Sequence, residues 1–262
     1  MKTTGYWTRC IAALVLALAF AGAAGADRVD TIERVKGSIV AIGTMEPTRT
    51  PPFLFRGTGF AVGDGTLVVT NAHVLPVVLD SSKFETLAML VPGRVKDGTD
   101  SVQVRQLKPL AVDPGSDLAV LSLSGAPLPA LKVHEGGNVR EGQEILFTGY
   151  PIGAVLGPYP ATHRGIISAV TPIAIPQMRA GDLDARTVRR LSSGAFPVYQ
   201  LDATAYPGNS GSPIYDPETG EVLGVVNMVF VKGTKESVLT EPSGITYAVP
   251  SSHLQDLLKK AR

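Results

Sequence analysis

An all-β fold, a barrel or sandwich followed by one short C-terminal helix, is what this sequence predicts. Three observations carry the prediction. Short apolar, β-branched runs recur along the chain, and Gly, Pro, Asn or Asp stand between them. Nothing alternates strand with helix in the way a parallel α/β sheet requires. The 262 residues include 28 Gly and 20 Pro, and 44% of them are hydrophobic, so there is punctuation for many strands and apolar material for a large core.

At the start of the chain, Lys2 and Arg9 precede an apolar run over residues 11–24, and Ala24-Gly25-Ala26 fits a small-x-small cleavage site. The run has 14 residues, short of the roughly 20 that span a bilayer as a helix. The reading is a cleaved secretory signal over residues 1–26, with an uncleaved anchor as the alternative. The mature chain is then residues 27–262, with no stable membrane span. Cys10 is the only cysteine and precedes the apolar run, so that mature chain holds no disulfide. This fits a bacterial periplasmic or secreted protein better than a disulfide-rich one.

Strands are expected over residues 39–42, 59–62, 67–69, 118–123, 145–149, 166–170, 222–230 and 245–249. Residues 44–56 read as a loop with three prolines and the apolar Phe53-Leu54-Phe55. That loop either packs on its own barrel or serves as a subunit contact or lid. Residues 171–197 read as a long loop with a short helix over 182–191, with Arg189 and Arg190 at its end favouring the helix dipole. It either influences the serine segment that follows or is a solvated insertion. After Pro250, Ser251 or Ser252 reads as an N-cap and Leu254, Leu257 and Leu258 as an apolar stripe, giving a helix over 251–262 with His253 on its surface.

Composition narrows the function. Removing the leader leaves 22 basic against 23 acidic residues, a net charge near −1. No basic block or aromatic-interleaved patch appears, which argues against nucleic acid as a partner. His134 and His163 have no metal-ligand spacing, and neither a metal nor a cofactor is expected.

Chemistry concentrates at Gly208-Asn209-Ser210-Gly211-Ser212-Pro213. A serine hydroxyl is a weak nucleophile without a base beside it, and it needs backbone N–H groups aimed at the developing oxyanion. Glycines on both sides allow the tight turn that aims them. Upstream, His73 closes the run Val68-Val69-Thr70-Asn71-Ala72-His73, and Asp117 follows the turn Asp113-Pro114-Gly115-Ser116. Each of the three sits where a strand meets a turn. Taken singly, His73 reads as a core histidine and Asp117 as a turn residue; together, in the order His, Asp, Ser, they read as a nucleophile, its base and the base's orienter. The competing order Ser210, Asp, His253 would need Gly-x-Ser-x-Gly, and Ser212 occupies the last glycine.

Thr70-Asn71-Ala72-His73-Val74, Asp117-Leu118-Ala119-Val120 and Gly208-Asn209-Ser210-Gly211 resemble the three catalytic motifs of trypsin-like serine proteases of the HtrA/Deg branch. Gly57-Thr58-Gly59-Phe60, Gln200-Leu201-Asp202-Ala203, Gly224-Val225-Val226-Asn227 and residues 244–250 are similar to flanking strands of that family. The resemblance covers roughly residues 29–258. It implies two six-stranded antiparallel β-barrels, one over about 27–130 and one over about 131–250, with a C-terminal helix over 251–262. His73 and Asp117 would come from the first barrel and Ser210 from the second. It also implies an oxyanion hole at Gly208, Asn209 and Ser210, and a specificity pocket walled by Thr204, Ala205, Tyr206, Val226, Asn227 and Met228.

The implied activity is hydrolysis of peptide bonds through an acyl-enzyme, after small or medium apolar residues in unfolded or exposed polypeptide. Thr204 stands about where trypsin has an acidic pocket floor, so Arg or Lys selectivity is not expected. Two departures bear on this. Ser212-Pro213 is similar to glutamyl endopeptidases, but Val226 stands near the position of their glutamate-binding histidine, so glutamate specificity is not expected. Twelve residues follow Pro250, too few for the PDZ domain usual in the branch, so functions that depend on it are not carried over. A catalytically silent or partner-activated protein of this fold is the rival reading, and a homo-oligomer is left open.

Overall fold

The apolar runs pair into two closed antiparallel barrels of six strands each. The computed structural model describes residues 28–94, 100–153, 159–172, 196–227 and 245–261. The first barrel consists of β1 (Ile39–Met45), β2 (Phe53–Val62), β3 (Leu67–Asn71), β4 (Thr86–Arg94), β5 (Asp100–Asp113) and β6 (Leu118–Leu123), in spatial order β1-β2-β3-β6-β5-β4. The second consists of β7 (Glu144–Gly149), β8 (Ala161–Pro172), β9 (Pro197–Asp202), β10 (Pro213–Tyr215), β11 (Val222–Asn227) and β12 (Ile245–Pro250), in order β10-β11-β12-β9-β8-β7. Helix α1 (Arg28–Lys36) precedes the barrels and helix α2 (Ser251–Lys260) follows them.

Three apolar clusters fill this frame. Val40, Ile42, Val68, Met89, Ala119 and Leu121 fill the first barrel. Phe147, Ile167, Leu201, Ile214 and Val226 fill the second. The third is a seam between them, where Ile39, Phe60, Val62, Leu118 and Val120 meet Leu146, Tyr150, Tyr215, Val225 and Val249. Val35 of α1 and Leu254 and Leu257 of α2 extend the seam. Thr31 and Arg34 of α1 donate to the carbonyls of Glu218 and Thr219 at 3.1 and 2.8 Å, tying that helix to the turn before β11.

Three expectations are corrected. Phe53-Leu54-Phe55 belong to β2, paired with Met45, Thr44 and Gly43 of β1, and are not loop residues. The turn before them, residues 46–52, is built around Arg49, whose guanidinium donates to the carbonyls of Thr44 and Pro52 and to both Glu46 and Glu85. Helix α2 has Pro250 at its N-cap and no side-chain cap, and the Ser251 hydroxyl is buried without a partner among the described residues. His253 is half-buried and lies against Phe196, ring centroids 4.5 Å apart. The helix expected over 182–191 and the rest of residues 173–195 lie outside the described residues, as do residues 1–27.

Glu85 gives this barrel an acid limit. Hydrogen bonds from the Thr44 hydroxyl, the Asp80 amide and Arg49 lower its carboxyl from an ordinary 4.5 to about 2. A group whose folded pKa is depressed stabilises above its unfolded value and loses that contribution as pH falls toward the folded one. Melting temperature should therefore fall as pH drops from about 4.5 toward about 2. Glu85→Gln should be less stable at neutral pH and show a flatter curve across that window. A thermal-denaturation series from pH 7 to pH 2 measures both.

Candidate active site

The element that carries His73 is set by the end of β3. After Asn71 the chain enters a 3-10 turn, Ala72–Val74, with Asn71 extended at its N-cap. Two donors from this turn converge on one carbonyl: the Ala72 N–H and the Asn71 side-chain amide both bond the Asp117 backbone oxygen at 3.0 Å. The His73 turn and the Asp117 turn are thus fixed to each other by main chain.

Asp117 sits in the left-handed region, φ 57°, a conformation few residues other than Gly, Asn and Asp adopt readily. The turn before it is held by Asp113, whose carboxylate accepts from the Gly115 N–H at 2.9 Å and the Ser116 hydroxyl at 2.7 Å. The left-handed residue turns the Asp117 side chain back toward His73. Asp117 is 3% exposed, and among the described residues its carboxylate meets these donors. Oδ1 accepts the His73 backbone N–H at 2.9 Å. Oδ2 lies 2.6 Å from His73 Nδ1 and accepts from Asn227 Nδ2 at 2.8 Å. A buried carboxylate persists as an ion when donors surround it in this way. An ionised carboxylate only accepts, which places an N–H at Nδ1, and in the neutral ring makes Nε2 the acceptor on the far side.

Ser210 belongs to the second barrel and is delivered by a turn that needs glycine on both sides. Gly208 has φ +103° and Gly211 φ +88°. A Cβ on Gly208 would lie 2.3 Å from the Tyr150 carbonyl oxygen, and one on Gly211 2.1 Å from that of Thr58. Thr58 of β2 fastens the turn across the barrels. Its N–H donates to the Ser210 carbonyl at 2.9 Å, and its hydroxyl donates to the Gly208 carbonyl at 2.7 Å and accepts from the Tyr150 N–H at 3.0 Å. The Asn209 N–H is taken by the Tyr206 carbonyl. No partner among the described residues takes the N–H of Gly208 or of Ser210. Ser210 is 6% exposed. No hydrogen bond joins its hydroxyl to the His73 ring, a bond that often tightens only when substrate is present.

The residues expected around a specificity pocket fall into two groups. Ala205 and Val226 are buried in the core of the second barrel, and Thr204 and Tyr206 are half-buried beside them. The Ala205 N–H donates to the Thr246 hydroxyl at 3.1 Å, which fixes that wall to β12. Met228 lies outside the described residues. Asn227, expected on the pocket wall, is fully buried and its amide faces Asp117. Sequence reasoning missed this bond because it crosses from β11 to the other barrel. It also missed Thr58, the residue that joins β2 to the serine turn, and His163, which stacks on Phe147 at 4.7 Å with its pKa lowered by burial.

An imidazole held by a buried carboxylate in one barrel, a serine on a glycine turn from the other, and two backbone N–H groups with no partner among the described residues define a class. The trypsin-like peptidase domain family matches residues 57–225, and the chain belongs to that family. Its relatives are serine endoproteases of the HtrA/DegP type. The chain is 28% identical over 203 residues to a probable periplasmic serine endoprotease DegP-like of Marinomonas sp., covering 74% of this chain and 33% of the relative. It is 30% identical over 238 residues to the mitochondrial serine protease HTRA2 of Bos taurus, covering 88% of this chain and 42% of the relative. The chain thus spans about a third to two-fifths of the length of these relatives. Among solved structures, the Rv3671c protease of M. tuberculosis in its active form superposes with a TM-score of 0.61 at 22% identity, over 88% of this chain and 83% of that one. The serine endoprotease of Yersinia pestis gives 0.59 at 20% identity, over 90% and 66%. At these identities the superpositions speak to the fold.

Removing the Asn227 amide leaves the buried carboxylate one donor short. Asn227→Ala should destabilise the protein by about 1–3 kcal/mol, read from urea denaturation at neutral pH. No loss of stability would mean that the bond contributes nothing in solution.

Proposed function

We propose that the chain is an exported serine endopeptidase in which Ser210 is the nucleophile, His73 the general base and acid, and Asp117 the group that orients His73. One observation carries this reading: the Asp117 carboxylate, held by His73 Nδ1 and Asn227, leaves His73 Nε2 as a base while the serine turn is anchored across the barrels by Thr58. Ser210 Oγ attacks the scissile carbonyl and passes its proton to His73 Nε2. The tetrahedral oxyanion is received by the N–H groups of Gly208 and Ser210, with Asn209 shaping the turn between them. Collapse breaks the C–N bond, and His73 gives the proton to the leaving amine. Water, deprotonated by His73 in turn, releases the acyl half from Ser210.

Ala205 and Val226 supply apolar walls and Thr204 and Tyr206 the rim, which favours a small or medium apolar residue before the cut. Extended or unfolded polypeptide is the substrate class, since the scissile bond must enter a cleft between two barrels. Export is supported by the leader-like residues 1–26 and by the periplasmic description of the DegP-like relatives. No helix among the described residues is long and apolar enough to cross a membrane. A second reading, a protease-fold protein switched on by a partner, is favoured by the missing hydrogen bond between Ser210 and His73.

A fluorophosphonate probe separates the two. Residues 27–262, treated across pH 6 to 9 and mapped by mass spectrometry, should carry the adduct on Ser210 alone, and Ser210→Ala should carry none. Absence of labelling in the wild type would support the partner-activated reading. If labelling occurs, Asp117→Asn should lower kcat on a peptide substrate by about 10⁴-fold, because the wrong imidazole tautomer is then held.

A further inference from the structure

Four large apolar side chains stand exposed in the ten residues that follow the His73 turn. Val77, Val78, Leu79 and Phe84 are 90, 79, 37 and 77% exposed. A loop that shows water this much apolar surface is ordinarily loose or covered. This one is built. At its start the Arg56 guanidinium bonds the carbonyls of Val74 at 2.6 Å and Leu75 at 3.3 Å. Its far end is a second 3-10 turn, Ser81–Lys83, capped by the Asp80 carboxylate, which accepts the Ser82 N–H at 3.0 Å. The Asp80 N–H donates to Glu85 Oε2 at 3.1 Å, and Glu85 is itself bonded to Arg49 at 3.0 Å. Phe84 is held at φ 57°, an unusual angle for a bulky side chain. The charges are spent internally, Lys83 on Asp80 and Glu85 on Arg49. What remains outward is a pinned apolar ridge.

The ridge begins at the cleft. A Cβ placed on Gly57 would lie 2.7 Å from Val74 Cγ2 and 3.0 Å from the Ser210 carbonyl oxygen, so the root of the ridge and the serine turn meet at that glycine. Resting on the reading of His73, Asp117 and Ser210 as a catalytic set, we propose that the ridge of Val77, Val78 and Phe84 binds apolar side chains of an extended polypeptide on the leaving-group side of the cut. The side follows from chemistry. His73 protonates the departing amine, so the chain beyond that amine leaves on the His73 side, where the ridge springs. The Ala205 and Val226 walls lie in the core of the other barrel. Because both ends of the loop are already tied down, contact with the ridge orders mainly the substrate. The substrate class narrows accordingly to unfolded segments with apolar residues just after the scissile bond, a composition folded proteins keep inside.

Two internally quenched peptides test this. They share the acyl half and carry Val-Leu-Phe or Ser-Asn-Gln at the second to fourth positions after the cut; an aryl ester of the same acyl half has nothing on that side. Wild type should prefer the apolar peptide by about tenfold in kcat/KM. In Val77→Ser/Val78→Ser/Phe84→Ser the preference should fall to within about twofold while ester turnover stays unchanged. Phe84→Gly, which suits the left-handed angle and so keeps the fold, should lose part of the preference. An unchanged preference in both variants with normal ester turnover would overturn the ridge and leave the protease intact. Peptide binding to Ser210→Ala, followed by fluorescence anisotropy, reads the ridge without turnover. Affinity that favours the apolar peptide supports the ridge even if the wild type fails on the ester, which would sink the protease reading alone. Equal affinities would overturn the ridge. So would ridge-dependent dimerisation in sedimentation, since the surface would then be occupied by a second copy.

Discussion

The cleft depends on the apolar seam between the barrels. His73 and Asp117 belong to the first barrel and Ser210 to the second, so neither barrel contains the arrangement by itself. Ile39, Phe60, Val62, Leu118 and Val120 on one side, and Leu146, Tyr215, Val225 and Val249 on the other, are essentially shut off from water. Each such side chain contributes about 1.5–3 kcal/mol by burial. The seam is not directional, however. It presses the two halves together without fixing their register.

Register comes from polar groups placed at the edge of the seam. Thr58 uses its amide and hydroxyl on the serine turn, and Asn227 uses its amide on the Asp117 carboxylate. These bonds join residues far apart in the chain, and Thr58 and Asn227 are themselves buried, where an unmet donor or acceptor costs more than the net worth of the bond. A displaced register would strand these groups. The apolar seam supplies adhesion and the polar pair rejects the wrong fit. The same division holds within the first barrel, where the Asp117 carbonyl collects two donors from the His73 turn.

The sequence disclosed the barrel strands whose both faces are apolar and the order of the three reactive residues. It hid the others for physical reasons. β5 carries Arg105, Lys108 and Pro109 among its apolar residues, and Pro109 adjoins a shift in the pairing with β6, where a missing N–H costs little. β10 has three residues and begins with proline. β9 also begins with proline, and helix α1 buries only Thr31 and Val35, too narrow a face to stand out. Phe53-Leu54-Phe55 followed two prolines and read as loop, although they pair with β1. His73, Asp117 and Ser210 were legible because each sits in a short local motif. The bond from Asn227 to Asp117 was not, because it depends on how two barrels meet and no local spacing encodes that. In the strand expected over 222–230, Asn227 read instead as a wall of the specificity pocket.

The Thr58 amide has a consequence of another kind. Its proton is committed to the Ser210 carbonyl, a partner in the other barrel, whereas the β2 amides around it are committed to strands of their own. Deuterium can reach it when the halves part, even if each barrel stays folded. That one amide therefore acts as a built-in gauge of docking, separating the breathing of the cleft from the unfolding of its walls.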